Sequence, residues 1–222
     1  VDVNELTNGV IAVAAGVGHT CAVTTGGGVK CWGDNRDGQL GDGSLTDRVT
    51  PLDVSGLTGG VSAISASRFH TCALTNGGGV KCWGRNKEGQ LGDGSLTDRV
   101  TPVDVSGLTS GISAIAAGDE HTCAVTTGGG VKCWGDNSSG QLGDGTTSDR
   151  LTPVEVSGLS MGVTAIAAGA RHTCALTTGG GVQCWGLNSR GQLGNGNTDS
   201  AIPVDVNELT NGVIAVAAGG GH

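Results

Sequence analysis

Tyrosine is absent and phenylalanine occurs once, as Phe69, so apart from four tryptophans a core has to be assembled from Val, Leu, Ile and Ala. Such a core is thin for 222 residues. Long apolar runs are missing as well: stretches such as VIAVAA at 10–15 fall far short of the roughly 20 residues a membrane helix needs, which excludes helical membrane insertion. Basic residues are few, 12 Lys plus Arg against 20 Asp plus Glu, and they are scattered singly. No patch is left for phosphate contacts, so nucleic acid is excluded as a partner. There is no long amphipathic period, no Gly-Lys-Ser/Thr phosphate cradle, no helix-borne metal motif and no Ser, His and carboxylate set beyond what repetition explains. The expectation is a protein that is not an enzyme and needs no cofactor. The chain starts at Val1 without an initiator Met or a signal-peptide pattern, which reads as a processed or excised product.

What is abundant is glycine, 44 residues without a strict triplet period, in a chain that is 36% hydrophobic. That combination argues against collagen and against wholesale disorder, and for a folded, turn-rich chain. The glycines recur in register. His19, His70, His121 and His172 stand 51 residues apart, a period expected of one propeller blade or solenoid turn per repeat. One unit, VDVSGLTSGISAIAAGDEHTCAVTTGGGVKCWGDNSSGQLGDGTTSDRLTP, runs from Val103 to Pro153. Within it ISAIAAG is short and small-sided, HTCAVT and GVKCWG flank a glycine turn, and PVDV follows a proline-marked loop. The pattern predicts four short antiparallel strands per unit, hence an all-β chain of β-propeller blades, with Ala and Gly on the crowded strand nearest the axis. A single repeat array over 1–222 divides at about 1–51, 52–102, 103–153 and 154–203, with a duplicated half-blade at 204–222.

HTCAVTTGGGVKCWGDNSSGQLGDG closely resembles the repeat of the regulator of chromosome condensation family, whose blades carry a His-Thr strand, a Trp-Gly strand and an Asn-x-x-Gly-Gln-Leu-Gly turn. The resemblance covers all four repeats and is of the bacterial, cysteine-containing type. It implies a four-stranded propeller blade per repeat and, in known members, a ring usually of seven. Seven units of this length need about 357 residues, so one copy cannot close a ring of that size. The paired cysteines also depart from the eukaryotic nuclear members.

Residues 1–16, VDVNELTNGVIAVAAG, are identical to 204–219, whereas the equivalent internal segments differ. The copies lie 203 residues apart rather than four full periods, because Gly196 to Pro203 is one residue shorter than Gly145 to Pro153. This implies a recurring four-repeat superunit, either a segment of a longer array or one subunit of a periodic assembly. The plainer alternative is a closed four-bladed ring with a redundant tail.

In a hairpin centred on Gly26, Cys21 faces Cys31 and Val23 faces Val29. Opposed antiparallel positions lie within disulfide range, so the pairs are Cys21 with Cys31, Cys72 with Cys82, Cys123 with Cys133 and Cys174 with Cys184. A redox pair wants Cys-x-x-Cys near a helix, and a zinc site built on His19, Cys21 and Cys31 competes with a geometry that already fits a bridge. Four staples point to an oxidising compartment, hence a secreted or cell-surface location.

The remaining candidates are positions within the repeat. The turn DNRDGQLGDG at 34–43 carries a calcium-loop spacing, but Asp34 becomes Arg85 and Leu187 elsewhere, and the resemblance implies turn-fixing roles for its Asn and Gln. The four histidines are expected to tie a strand to a neighbouring loop, and Trp32, Trp83, Trp134 and Trp185 to pack between blades. The plant ultraviolet receptors of the family add clustered tryptophans that this chain lacks. Asn137-Ser138-Ser139 is an N-glycosylation sequon. Variation among the repeats gathers in the pair before each histidine, which includes Arg68, Phe69, Asp119, Glu120 and Arg171, and in the pair after the turn Asn, which includes Arg36 and Lys87. Variable loop tips on a fixed scaffold are how propellers present binding surfaces, and Phe69 is the best single candidate for an exposed contact. The favoured reading is a secreted structural or adhesive scaffold, in an array or filament, whose partners are other copies of itself or other proteins. The alternative is a discrete protein-binding propeller, inhibitor-like. Guanine nucleotide exchange on a small GTPase ranks last, given the acidic charge and paired cysteines.

Overall fold

The computed structural model describes Leu6 and residues 9–220. Sixteen strands follow one another in four antiparallel sheets, each in chain order. Blade 1 holds β1 (Val10–Ala15), β2 (His19–Thr24), β3 (Val29–Gly33) and β4 (Arg48–Asp53). Blade 2 holds β5 (Val61–Ala66), β6 (His70–Thr75), β7 (Val80–Gly84) and β8 (Arg99–Asp104). Blade 3 holds β9 (Ile112–Ala117), β10 (His121–Thr126), β11 (Val131–Gly135) and β12 (Arg150–Glu155). Blade 4 holds β13 (Val163–Ala168), β14 (His172–Thr177), β15 (Val182–Gly186) and β16 (Ser200–Asp205). The all-β propeller architecture expected from the repeat is the one observed. The blade boundaries are not the repeat boundaries: divisions at 51/52, 102/103 and 153/154 cut through β4, β8 and β12, because the Pro-containing stretch is the outer strand of the preceding blade.

The central hairpin has the expected register, His19 opposite Gly33, Cys21 opposite Cys31 and Val23 opposite Val29. Its turn closes with Gly27 N donating to Thr24 O at 2.8 Å. Gly27 has φ +75°, and a Cβ there would sit 2.6 Å from Gly60 N, so both conformation and crowding require glycine. All four predicted disulfides are formed, each with a Cα–Cα separation of 4.1 Å.

The core lies between blades rather than within them. Cys21, Val23, Val29, Cys31, Leu40 and Val54 of blade 1 pack against Ala73 and Trp83 of blade 2, and the same contact repeats from blade 2 to 3 and from 3 to 4. This is how a chain with almost no aromatic residues builds an interior: one indole per blade, inserted into the neighbour. Trp83, Trp134 and Trp185 are fully buried, and each donates its Nε1 hydrogen at 2.9 Å to the carbonyl of Gln39, Gln90 or Gln141 in the preceding blade. Gly41, with φ +70°, lets the backbone approach that ring, since a Cβ would lie 2.7 Å from Trp83 Nε1. Trp32 is the exception, half-buried on the open face of blade 1.

Among the described residues, blade 4 does not pack back on blade 1 in the way successive blades pack. Val49 is 97% exposed, whereas its equivalents Val100 and Leu151 pack against Gly38 and Gly89 of the preceding blade. Gly191, the matching glycine of blade 4, has nothing within 4 Å. The N-terminal copy of the duplicated segment falls partly outside the described residues. Its six residues 10–15 form β1 while the identical 213–218 form no strand. The difference is the partner: β1 pairs with β2, and 213–218 pair with no strand among the described residues.

Candidate functional site

Strand pairing places the variable residues. His19 opposite Gly33 brings the loop before β2 and the turn after β3 to the same end of the blade, and Asp34 N donates to Gly18 O at 2.8 Å. The same bond recurs as Arg85 to Phe69, Asp136 to Glu120 and Leu187 to Arg171. Both variable pairs of every repeat therefore lie on one end of the propeller. The inner strands converge there on a shallow axial cavity of about 240 Å³, with Val17, Arg68, Asp119 and Ala170 at its rim.

Arg68, Arg36, Lys87 and Arg171 are exposed on this end, and Asp119 and Glu120 are half-buried. Arg36 pairs with Asp34 at 3.0 Å and Lys87 with Asp98 at 3.0 Å. Phe69 departs from the expectation of an exposed contact. It is half-buried, its ring held between the guanidinium groups of Arg68 at 4.8 Å and Arg85 at 4.7 Å. Arg85 also reaches Glu120 of the next blade at 3.5 Å. Each guanidinium lies within the range at which a cation is attracted to the face of an aromatic ring. Glu88 is raised above the usual carboxylate range by burial and by Glu120, Asp149 and Asp136, opposed by Arg85. The rim is thus a mosaic of both charge signs around an apolar ring. Sequence reasoning missed Arg85 as a site residue. The signal was available, since its repeat position reads Asp34, Arg85, Asp136 and Leu187.

The histidines tie blade to blade rather than strand to loop. His19 Nε2 donates to Thr71 Oγ1 at 2.8 Å, and Thr71 Oγ1 donates to Gln39 O at 2.9 Å. His70 meets Thr122 at 2.8 Å and His121 meets Thr173 at 2.9 Å in the same way. Burial lowers His19 to about 4, with Asp34 opposing. Burial, with the charges of His121 and His19, lowers His70 to about 3. His121 falls to about 4 by burial, with Asp136 opposing and His172 assisting. These are buried, neutral imidazoles.

One pair has the look of chemistry: Ser67 Oγ lies 2.8 Å from His70 Nδ1. Ser67 is 7% and His70 0% exposed, and the other imidazole nitrogen is taken by Thr122 rather than by a carboxylate. A nucleophile needs access and its base needs an orienting acceptor, so the arrangement fills space between blades.

The calcium-like turn is satisfied from within. Asn35 Nδ2 donates to Asp42 Oδ1, Ser44 O and Thr46 O at 3.1–3.2 Å, and Leu40 N donates to Asn35 Oδ1 at 2.9 Å. Asp42 Oδ2 accepts from both Nε and Nη2 of Arg48 at 2.9 and 2.8 Å. Burial pushes Asp42 up, but hydrogen bonds from Arg48, Ser44 and Asn35 outweigh it and hold the carboxyl below its ordinary range. These oxygens face protein hydrogens. The sequon residue is placed in the same way: Asn137 is 0% exposed and its Nδ2 donates to Asp144, Thr146 and Ser148. No group of three or more His, Cys, Asp or Glu that could hold a metal ion occurs among the described residues.

The profile of the RCC1-like domain matches residues 1–222. The chain is 38% identical over 192 residues to the Ultraviolet-B receptor UVR8 of Arabidopsis thaliana, covering 85% of this chain and 44% of that protein. It is 39% identical over 197 residues to the probable E3 ubiquitin-protein ligase HERC4 of Homo sapiens, covering 86% and 18%. Human WBSCR16 superposes at a TM-score of 0.86 and 27% identity over 97% of this chain and 57% of that one. The chain spans less than half the length of these curated relatives.

Proposed function

The chain belongs to the RCC1-like domain family, and on that premise we propose that it works by contact, as a non-enzymatic extracellular repeat scaffold with a structural or adhesive role. One observation carries the reading: a frame stapled in every blade displays the residues that differ between repeats on a single end, around Arg68, Phe69, Asp119 and Arg171. Four disulfides in 222 residues support an oxidising, secreted or surface environment. The mixed charge and the clamped ring suit a protein surface, where aromatic and arginine anchors dominate binding. Membership in an array of copies extends the same reading. A discrete binder that covers one partner with this end is the second reading, favoured by the concave axial rim.

The test is binding of the folded chain to proteins of its own extracellular fraction. Joint replacement Arg68→Ala, Phe69→Ala and Arg171→Ala is expected to weaken that binding by at least about tenfold. Equal binding by the triple variant, with its disulfides intact, contradicts the assignment of the axial end.

A further inference from the structure

The hairpin tip of blade 2 differs from the other three in its chemistry. Where Thr25, Thr127 and Thr178 precede the glycine triplet, blade 2 has Asn76, a side-chain amide followed directly by Gly77. Asn76 is exposed and its side chain makes no hydrogen bond among the described residues; the Gly77 N–H has no acceptor there either. The rest of the tip is held. Gly78 N donates to Thr75 O at 2.8 Å, Asn76 N to Gly60 O at 2.8 Å and Gly79 N to Thr75 Oγ1 at 3.0 Å. An electrophile, Asn76 Cγ, and a nucleophile, Gly77 N, are thus both unengaged on neighbouring residues. Glycine leaves that nitrogen uncrowded, since it carries no Cβ.

Similar dipeptides elsewhere are tied down. Four Asp-Gly pairs occur between β1 and β12, and in each the glycine N–H is bonded: Gly38 to Asn35 O at 3.0 Å, Gly43 to Val100 O at 2.9 Å, Gly94 to Leu151 O at 3.0 Å and Gly145 to Ala201 O at 2.9 Å. In blade 4, Asn195 precedes Gly196, but its Oδ1 accepts from Asn188 Nδ2 and from Asn197 N, each at 3.0 Å. The blade 2 tip also carries a neighbour. Ile112 N of blade 3 donates to Gly78 O at 3.0 Å, and a Cβ on Gly78 would lie 2.8 Å from Gly111 N.

We propose that Asn76 is a site of spontaneous covalent modification, closing with Gly77 to a succinimide that water opens to aspartate or isoaspartate, and that the isoaspartate loosens blade 2 from blade 3. Gly77 N gives up its proton and bonds to Asn76 Cγ. The Cγ–Nδ2 bond breaks, and Nδ2 leaves with a proton as ammonia. Water then cleaves one of the two imide C–N bonds. Cleavage at Cγ leaves an ordinary aspartate, whereas cleavage at the main-chain carbonyl leaves isoaspartate, whose backbone is longer by a methylene. Gly78, with φ +75° and Gly111 close by, has no slack to absorb that methylene, so the carbonyl that Ile112 uses is displaced. The tip lies away from the axial rim, since His70 pairs with Gly84 at the other end of the hairpin, and the inference uses none of the rim residues.

The folded full chain, its disulfides intact, is aged in mildly alkaline buffer and digested, and the peptides are followed by mass spectrometry for the gain that replaces NH2 by OH. Asn76 is expected to convert about tenfold faster than Asn195, whose two hydrogen bonds have to be released before its Cγ is attacked. Gly77→Ala keeps the turn, because its Cβ would meet nothing nearer than Thr75 Oγ1 at 3.9 Å, and should slow conversion several-fold by crowding the nucleophile. Hydrogen exchange at the Ile112 amide should quicken in the aged chain that carries isoaspartate. Asn76→Asp, which adds the charge without the methylene, should leave that exchange unchanged. An Asn76 peptide that stays intact or converts no faster than Asn195 would overturn the proposal, as would a Gly77→Ala variant that converts at the unmodified rate. Unchanged exchange at Ile112 in the isoaspartate form, or equal exchange in Asn76→Asp, would overturn the claim about the blade contact.

Discussion

Mild acid should unfold this protein through its stacked histidines. His19, His70 and His121 stay neutral in the fold down to about 4, 3 and 4, against an ordinary value of 6.5. Between those values the unfolded chain takes up protons that the folded chain refuses. The stability they contribute is present above pH 6.5 and is lost as pH falls. At about pH 5 each imidazole lies some 1.5 pH units below its unfolded value, a cost of about 2 kcal/mol, so the three together remove up to about 6 kcal/mol. That is comparable with the whole stability of an ordinary domain, about 5–15 kcal/mol. Urea unfolding followed by tryptophan fluorescence at about pH 7 and pH 5 is the assay, and the midpoint should fall steeply. His121→Gln should reduce the slope of stability against pH by about one third. The aspartates Asp42, Asp93 and Asp144 are held below their ordinary value and titrate beneath this window. Coincident midpoints at the two pH values would refute the claim that these rings are buried and neutral.

Replacing Cys123 and Cys133 by Ala opens a ten-residue loop and should cost about 3 kcal/mol in the same assay; an unchanged midpoint would show that the blade does not depend on its staple. Arg99→Ser should cost about 2 kcal/mol because it strands the Asp93 carboxylate, which is 7% exposed. Adding Asp93→Asn should restore most of that loss, since the fourth repeat carries this combination as Asn195 and Ser200, and a double variant worse than the single would contradict the pairing. Gly92→Ala should destabilise by more than about 2 kcal/mol, because its φ is +69° and its Cβ would lie 2.7 Å from Trp134 Nε1; a neutral effect measured by thermal unfolding would mean that the blades can slide apart.

The repeat made most of the fold readable. A 51-residue period with a glycine turn between two short strands specifies the hairpin, and its arithmetic places Cys21 opposite Cys31 without further information. What the sequence could not show was the relation between blades. The threonine after each histidine reads as an ordinary strand residue, yet Thr71 links His19 to the Gln39 carbonyl, 52 and 32 residues away. The blades are offset in phase from the repeat units, since the pairing of β3 with β4 spans the loop at 34–47. At the axial end, variation among repeats located the surface, but exposure was not readable from residue type. Phe69 is sheltered by Arg68 and Arg85, and Asn137 is buried because its amide ties the turn together.

The account turns on a frame stapled blade by blade in an oxidising compartment. Native material, alkylated without reduction, digested and mapped by mass spectrometry, tests it directly. The expected result is no free thiol and four bridges, Cys21 to Cys31, Cys72 to Cys82, Cys123 to Cys133 and Cys174 to Cys184. Eight alkylated thiols, or bridges between blades, would contradict it.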